Sequence, residues 1–343
     1  MNCRVKRLFL IPQHDGMGCS DSLSFFSGSG KQECTTTGEI MRRRHFLQLA
    51  STSLAVNSIS VSARDSFQRK GPPRFQVGLA AYSLRKYFSF SRGKKQKPAE
   101  DGKSLDMYGF IDYCVDQGLD AAELTSYFFD PAIDDSTFLD LRRYAFVRGI
   151  AISGTAIGNN FTIGAGPKLE EEIEKALVWI ERASLLGAPH IRFFAGTGKQ
   201  LQHDVKRMKE ACDAIERCAE LAAKKGVFIG IENHGNLTSD QMLEIMDRVK
   251  NPWVGINLDT GNFLSNDPYA DLEKCAPHAI NVQVKVNMKR PDGQHYPADL
   301  QRVADILKRA SYQGYVILEY EDVDPYENIP KSLETLRSAL GTD

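Results

Sequence analysis

The sequence predicts an α/β protein whose folded part is a (β/α)8 TIM barrel, preceded by a disordered leader and a signal segment. Three observations predict this fold. From residue 75 onward, short and nearly continuous apolar runs alternate with amphipathic helical segments, which is the pattern of parallel strands covered on both faces. The pattern repeats eight times in about 265 residues, the count and size of such a barrel. No Gly-x-Gly-x-x-Gly follows the first strand, which disfavours the competing doubly wound sheet.

Each of the eight units pairs one apolar strand with one helix, in order along the chain. The strands are predicted at residues 75–83, 120–124, 150–157, 190–196, 227–233, 254–259, 279–286 and 315–321. The helices that follow them are predicted at residues 105–117, 136–148, 169–186, 204–225, 239–249, 268–275, 298–310 and 329–340. The barrel domain therefore spans residues 75–341.

The amino-terminal part of the chain has a different composition. The whole chain carries 43 Lys+Arg and 44 Asp+Glu, a net charge of −1, but residues 1–74 hold 11 basic and 5 acidic residues, so residues 75–343 carry −7. Consecutive arginines at 42–44 precede His45-Phe46-Leu47, and an uncharged, mildly apolar run then reaches Val61-Ser62-Ala63. This segment resembles a bacterial twin-arginine export signal with a small-residue cleavage site. A membrane anchor needs about 20 strongly apolar residues, and this run is shorter and more polar.

Residues 41–63 are therefore predicted to be a twin-arginine signal peptide, which implies export to the bacterial periplasm without a stable membrane anchor. Residues 1–40 show no helix or strand period, and a start at Met41 would make the signal amino-terminal, so they are interpreted as a doubtful extension. Residues 64–74 contain Gly71-Pro72-Pro73 and are predicted to be a linker. The cysteines of the barrel domain fall in predicted helices without a Cys-x-x-Cys pair, which predicts buried thiols: Cys114, Cys212, Cys218 and Cys275.

Polar side chains collect at the carboxyl ends of the predicted strands, where this fold places its catalytic groups. They are Glu123 after strand two, Arg192 on strand four, Glu232-Asn233-His234 after strand five, Asp259-Thr260-Gly261-Asn262 after strand six, and Glu319-Tyr320-Glu321 after strand eight. Strand seven alternates Asn281, Gln283, Lys285 and Asn287 with apolar residues, so these four side chains share one face. Several acids that converge at one barrel mouth repel one another unless a cation compensates them.

Simpler interpretations of single residues remain open. Asp259 is also placed to cap a helix, and Glu123 with Arg192 to form a structural ion pair inside the barrel. His234 is also compatible with a loop position that binds nothing. His190 and His278 precede their strands and are expected at the opposite rim of the barrel.

Together these residues resemble the sugar phosphate isomerase/epimerase family, the xylose isomerase-like TIM barrels. The resemblance covers residues 75–340 and is carried by Ile229-Gly230-Ile231-Glu232-Asn233-His234, Asn257-Leu258-Asp259-Thr260-Gly261-Asn262 and Leu318-Glu319-Tyr320. It implies that one divalent metal ion is held by Glu232, Asp259 and Glu319 together with a residue of strand seven. The family has His-x-Lys there, whereas this chain has Gln283-Val284-Lys285. A glutamine oxygen as fourth ligand favours Mn²⁺, Mg²⁺ or Co²⁺ over Zn²⁺.

The resemblance also implies a reaction. The metal would polarise a carbonyl and a neighbouring hydroxyl of a sugar or keto-sugar, and Glu232 and Glu319 would take and return a proton through an enediolate. Lys285 is predicted to be a third catalytic residue, and Glu123, Arg192, His234 and Asn262 are predicted to bind the substrate. The same site would also support a lyase or dehydratase of keto-sugars or oxidised glycosides.

Two other classes of function compete with an enzyme of this kind. An apurinic endonuclease on the same fold needs a histidine-rich zinc site, but residues 75–343 contain five histidines and carry a charge of −7, so no nucleic-acid partner is expected. A non-catalytic carbohydrate-binding barrel remains an alternative, because the strand-seven histidine is replaced. The expected partner is a small sugar, and the sequence leaves a homo-oligomer open.

Overall fold

The structure of the protein is a computed structural model that describes residues 66–342. Eight strands form the closed barrel: β1 Arg74–Ala80, β2 Ala121–Thr125, β3 Ala151–Ala156, β4 His190–Phe194, β5 Phe228–Glu232, β6 Val254–Asp259, β7 Ala279–Val284 and β8 Gln313–Leu318. Every neighbouring pair is parallel, and β1 closes the ring against β8. The predicted (β/α)8 TIM barrel is confirmed.

One helix follows each strand, as the alternating pattern predicts. These helices are α1 Met107–Asp116, α2 Asp135–Val147, α3 Pro167–Leu186, α4 Val205–Lys225, α5 Ser239–Arg248, α6 Pro268–Cys275, α7 Leu300–Arg309 and α8 Pro325–Leu340. Their apolar faces pack on the outside of the barrel, and the four cysteines of the barrel domain are free and buried, as expected. Within residues 66–342, no helix is long and apolar enough to cross a membrane.

Short polar residues fix where the helices begin. Asp106, Asp204 and Asp299 each accept a hydrogen bond from a backbone N–H in the first turn of α1, α4 and α7. Thr238 and Gln241 form a reciprocal capping box at the start of α5. Such caps satisfy backbone donors that the helix itself leaves without a partner. They set the lengths of the loops above the strand ends, where the polar residues lie.

Two hairpins and one helical turn were not predicted. A hairpin of Phe90–Ser91 and Lys94–Lys95 follows β1, a helical turn at Gly198–Leu201 follows β4, and a hairpin of Asn287–Lys289 and His295–Pro297 follows β7. Each strand of these hairpins has only two or three residues, which is too short to show a hydrophobic period. All three elements lie in loops on the side of the barrel where the strands end.

The described part of the predicted linker packs against the opposite side of the barrel. The ring of Phe67 meets the ring of Phe228 edge to face at 6.1 Å. The guanidinium of Arg69 lies 5.0 Å from the centre of the Tyr312 ring and donates a hydrogen bond to the carbonyl oxygen of Ala279. Residues 66–73 thus cover the side where the strands begin. The predicted extension and signal peptide, residues 1–63, lie outside the described residues.

Candidate active site

Four amide and carboxyl side chains form a hydrogen-bonded ring across the floor of the barrel mouth. Gln283 donates through Nε2 to Oε1 of Glu123 (2.9 Å), and its own Oε1 accepts from Nδ2 of Asn257 (2.7 Å). Nδ2 of Asn281 lies 2.7 Å from Oδ1 of Asn257 and 3.2 Å from Oε2 of Glu123, and donates to both. All four side chains are buried. Because each member contacts two others, the ring fixes the orientation of Gln283.

Glu123 is the titratable member of this ring. Burial, and then the negative charge of Glu319, raise the pKa of Glu123 to about 8, against the opposing effect of Arg192. His190 lies beneath it, with Nε2 3.8 Å from Oε2 of Glu123. Burial lowers the pKa of His190 to about 4, so this imidazole is neutral at physiological pH. The floor therefore carries little net charge.

The expectation that His190 lies at the opposite rim is wrong. Its ring lies inside the barrel, in space left by a missing side chain, since a Cβ on Gly154 would come within 2.2 Å of the ring. The sequence signal that would have revealed this is the glycine in the middle of β3, because an isolated glycine in a strand often marks a close approach of another group.

Above the floor, Lys285 inserts its ammonium group between three carboxylates. Nζ lies 2.7 Å from Oε1 of Glu319, 2.6 Å from Oε2 of Glu321 and 3.4 Å from Oδ2 of Asp259. Burial alone would lower the pKa of Lys285, but the charges of these three acids outweigh it and raise the pKa well above its ordinary value. The carboxylates therefore favour the positively charged form of the lysine.

The loop after β6 positions this lysine. The backbone N–H of Thr260 donates to the carbonyl oxygen of Gln283 (2.9 Å), and Oγ1 of Thr260 accepts from the backbone N–H of Lys285 (2.9 Å). A Cβ on Gly261 would come within 2.7 Å of Cγ of Lys285, so the lysine stem lies directly against the glycine. The Asp-Thr-Gly segment thus places both an acid and the lysine that faces it.

Glu232 and Arg192 form the second charged pair of the mouth. Nε of Arg192 lies 2.8 Å from Oε2 of Glu232, and Nδ2 of Asn262 donates to Oε1 of the same carboxylate (3.0 Å). Both members of the ion pair are buried. Burial raises the pKa of Glu232, against the opposing charge of Arg192. A carboxylate with a raised pKa and a fixed orientation is suited to proton transfer near neutral pH.

Aromatic side chains line the outer side of this pair. The guanidinium of Arg192 lies 4.1 Å from the centre of the Phe194 ring, and the ring of His234 stacks on the same ring at 4.2 Å. Partial burial, and then the charges of Arg192 and Lys285, lower the pKa of His234 to about 4. Tyr127 also lies beside Arg192. His234 thus presents a neutral ring at the rim of the mouth.

A groove leads away from this rim over the ends of β2 and β3. It consists of two adjoining cavities of about 430 and 480 Å³. Five residues line both cavities: Arg92, Tyr127, Gly158, Asn159 and Glu172. One cavity reaches Phe194 and the other reaches Trp179. The groove offers room, aromatic faces and polar groups next to Arg192.

The structure brings together every residue that the sequence predicted for the site. Seven of them meet at the barrel mouth: Glu232, Asp259, Glu319, Lys285, Arg192, His234 and Asn262. The other two, Glu123 and Gln283, lie beneath these seven. Asn281 shares their face, whereas Asn287 begins the hairpin after β7 and donates to Asp322 at 2.7 Å. Sequence reasoning did not assign Asn257, Glu321 or Tyr127 to the site.

The arrangement of the four predicted metal ligands does not fit a divalent ion. The oxygen of Gln283 accepts from Asn257, Asp259 and Glu319 face the ammonium of Lys285, and Glu232 faces Arg192. In the part of the chain that the structure describes, no group of three or more His, Cys, Asp and Glu side chains is arranged to hold a metal. The metal site therefore stays a prediction of the sequence.

Comparison with solved structures shows the same fold at low sequence identity. D-psicose 3-epimerase from Clostridium cellulolyticum H10 is 14% identical, with a TM-score of 0.60, and the match covers 77% of this chain and 99% of that chain. The 3-keto-D-glucoside 4-epimerase from E. coli is 16% identical (TM-score 0.54; 77% and 100%). The “probable 3-DHS dehydratase” of petrobactin synthesis from Bacillus anthracis is 16% identical (TM-score 0.59; 76% and 98%).

A search of curated protein sequences finds no match to this chain. The family described as "Xylose isomerase-like TIM barrel" matches residues 111–339, which include β2 through most of α8 and every strand end of the site except that of β1. The resemblance carried by the motifs after strands five, six and eight is therefore confirmed, and the chain belongs to the xylose isomerase-like TIM barrel family.

Proposed function

We propose that the protein is an isomerase or epimerase that moves a proton at a carbon next to the carbonyl group of a sugar or keto-sugar, through an enediolate. The observation that carries this proposal is the pair of buried carboxylates Glu232 and Glu319, which extend from strands three positions apart in the ring of eight. Two acid/base groups on different sides of one mouth suit removal of a proton from one face of a carbon and return from another. Membership of the family supports the substrate class.

Glu232 and Glu319 are each paired with a positively charged side chain, and in the proposed reaction that side chain also stabilises negative charge on the substrate. Arg192 orients Glu232, and Lys285 orients Glu319. When a carboxylate takes the C–H proton, negative charge develops on the former carbonyl oxygen. Fixed positive groups beside that oxygen stabilise the charge most in a buried site, where water does not screen it. His234 and Asn262, at the rim, are placed to bind hydroxyl groups of the sugar.

The groove next to Arg192 supports a substrate larger than the reacting carbons alone. Its aromatic side chains, Tyr127, Phe194 and Trp179, are suited to the apolar faces of a sugar ring, and Asn159 and Arg92 to its hydroxyls. Binding energy from the part of a substrate that does not react helps to orient the part that does. We propose that the reacting carbon lies between Glu232 and Glu319 and the remainder of the sugar in the groove.

Hydrogen exchange tests this function. The mature chain, which begins at Arg64 if the predicted signal peptide is removed, is incubated in D₂O with ketoses, aldoses and keto-glycosides. EDTA, Mn²⁺, Mg²⁺ or Co²⁺ is added in separate samples, and the sugars are examined by mass spectrometry and NMR. We expect deuterium at a carbon next to the carbonyl in at least one sugar. A product of unchanged composition identifies isomerisation or epimerisation, whereas a product lighter by one water identifies the dehydratase alternative.

Glu232→Gln and Glu319→Gln should each lower the rate of exchange by about 100-fold or more, because general acid–base groups contribute that much. Glu220→Gln, which changes an exposed acid on α4, is the matched control and should leave the rate unchanged. Binding of a sugar by the wild-type chain without any exchange, in every metal condition, would instead support the non-catalytic carbohydrate-binding barrel.

A further inference from the structure

We infer that the ammonium group of Lys285 is the resident cation of this site and takes the place of a divalent metal ion at the carboxylates of the barrel mouth. The part that Lys285 plays in the reaction rests on the proposed function. The claim that Lys285 occupies the cation position does not depend on the proposed function, and metal binding tests this claim separately. The inference follows from four features of the described residues: the geometry of the ammonium, the support of the lysine stem, the hydrogen bonds of Gln283 and the partner of Glu232.

The ammonium is already surrounded as a bound cation would be. An ammonium group has three N–H donors. Nζ donates to the carboxylates of Glu319 and Glu321, and the carboxylate of Asp259 lies 3.4 Å away as an ion-pair partner without a hydrogen bond, which leaves one donor free among the described residues. The side chains of Lys285, Asp259 and Glu319 are 9%, 1% and 9% exposed, so water has little access to the contacts with Asp259 and Glu319. A divalent ion bound to Asp259 and Glu319 would lie close to this ammonium, and the two positive charges would repel each other.

The lysine is supported in a way that resists displacement. Its backbone N–H donates to Oγ1 of Thr260, and its Cβ and Cγ lie against Gly261, where an added Cβ would come within 2.9 and 2.7 Å of them. A side chain packed on both its backbone and its stem has few other rotamers available. Lys285 therefore does not move aside easily to admit an ion.

The strand-seven position offers no ligand to an ion. The oxygen of Gln283 accepts from Asn257, while its Nε2 donates to Glu123. Turning the oxygen of Gln283 toward a metal would leave the buried amide of Asn257 without an acceptor, which is unfavourable. Gln283 is therefore a member of the floor ring, and this explains why a glutamine is compatible with the position at which the family has histidine.

Glu232, the fourth predicted ligand, is paired with Arg192 rather than left open. The positive charges of Arg192 and Lys285 thus face the two carboxylates that would exchange the proton. When one carboxylate removes the C–H proton, the C–H electron pair forms the C=C bond of the enediolate and the C=O pair moves to the oxygen. That oxygen accepts a hydrogen bond from the ammonium of Lys285. Return of a proton to carbon reverses these shifts, so no oxidant or reductant is required.

Metal binding provides a test that does not depend on activity. The wild-type mature chain, Lys285→Met and the control Lys274→Met are purified, their metal content is measured, and each is titrated with Mn²⁺ by electron paramagnetic resonance. Lys274 is exposed on α6 and faces the single acid Asp240 at 3.4 Å. We expect the wild-type chain and Lys274→Met to bind Mn²⁺ with a dissociation constant of about 1 mM or weaker. Lys285→Met should bind at least about tenfold more tightly, because three carboxylates lose their cation.

Several results would overturn the inference. One is a wild-type chain that retains one equivalent of metal or binds Mn²⁺ with micromolar affinity. Another is a Lys285→Met chain that folds and binds Mn²⁺ no better than wild type. If Lys285→Met does not fold, EDTA treatment of the wild-type chain decides: loss of hydrogen exchange, restored by Mn²⁺, contradicts a resident lysine. If no sugar exchanges hydrogen at all, the proposed function fails, but the Mn²⁺ titration still tests the place of Lys285.

Discussion

At the scale of single residues, Glu123 links the chemistry of the floor to the stability of the barrel. It is fully buried, it accepts hydrogen bonds from Gln283 and Asn281, and burial raises its pKa to about 8. In an unfolded chain the pKa returns to its ordinary value of 4.5. Between pH 4.5 and 8 the folded state therefore keeps a proton that the unfolded state has released. The contribution of Glu123 to stability is therefore greatest below this window and falls as the pH rises through it.

The first stability prediction follows from this difference. As the pH rises from 5 to 9, the wild-type chain should lose up to about 4 kcal/mol of unfolding free energy relative to Glu123→Gln, because each pH unit between the two pKa values contributes about 1.4 kcal/mol. The measurement is urea unfolding of both chains at several pH values. Glu220→Gln, the exposed control, should follow the wild-type curve. If Glu123→Gln follows that curve as well, Glu123 ionises normally and does not keep a proton in the floor.

The sequence predicts which polar residues lie at the barrel mouth, but it does not predict the hydrogen-bond partners of the floor residues. The acids, the lysine and the arginine of the mouth are predictable, because they stand at strand ends and alternate with apolar residues. The partners of Gln283 are not predictable, because the β6–β7 pairing shifts register between Ile256 and Asn257. That shift pairs Asn257 with Asn281 and Asp259 with Gln283. A register irregularity leaves no periodic trace in the sequence, so the sequence alone predicts a metal ligand at this glutamine.

At the scale of elements, the loop after β6 has the largest effect on the site. Thr260 connects β6 to β7 through a hydrogen bond in each direction, and Gly261 gives space to the stem of Lys285. The backbone N–H of Gly261 also donates to Oδ1 of Asp259 (2.8 Å), which fixes that carboxylate toward the lysine. One short loop therefore sets the geometry of both partners of an ion pair.

The loop prediction concerns Gly261→Ala. The new Cβ would lie 2.7 Å from Cγ of Lys285 and 3.0 Å from the carbonyl oxygen of Asn287, so the lysine stem must shift. We expect a loss of about 1–3 kcal/mol of unfolding free energy, as for other overpacked interiors, and a rate of hydrogen exchange at least about tenfold lower. Gly109→Ala in α1 is the control, because its Cβ meets the flexible end of Leu105 at 3.3 Å and Oδ1 of Asp106 at an ordinary contact distance of 3.6 Å. Equal effects of the two changes would contradict the role given to Gly261.

The strands and helices themselves were largely predictable. The sixth strand and the helix after it begin and end where the apolar pattern predicts, at residues 254–259 and 268–275. The last strand begins earlier than predicted, at Gln313, because its first residues pair with β1 beginning at Arg74. The hairpin strands of the loops were missed because the period of a strand cannot be recognised in two or three residues.

At the scale of the whole molecule, the basic amino-terminal part of the chain and the acidic remainder have different proposed roles. Residues 1–74 carry an excess of basic residues, and residues 75–343 carry −7. We propose that the basic part directs export by the twin-arginine route and is removed after Ala63. In the folded part, Lys285 and Arg192 balance several of the acids at the barrel mouth.

The export prediction concerns the double variant Arg43→Lys and Arg44→Lys. We expect the wild-type chain in the periplasm with an amino terminus at Arg64, and the double variant in the cytoplasm with an uncleaved signal. Cell fractionation and amino-terminal sequencing measure both properties. Arg42→Lys is the matched control, because it leaves the two arginines next to His45-Phe46-Leu47 intact. If the double variant reached the periplasm in the same amount as the wild-type chain, this result would contradict a twin-arginine signal.

The most direct test of the whole account is hydrogen exchange by the mature chain after removal of metal by EDTA. If Glu232 and Glu319 exchange a substrate proton and Lys285 supplies the positive charge, the EDTA-treated chain should still place deuterium from D₂O at the carbon next to the carbonyl of a sugar or keto-sugar. Glu232→Gln and Glu319→Gln should not. Absence of deuterium from every sugar tested, with and without added Mn²⁺, Mg²⁺ or Co²⁺, would contradict the central claim that this barrel mouth transfers a proton.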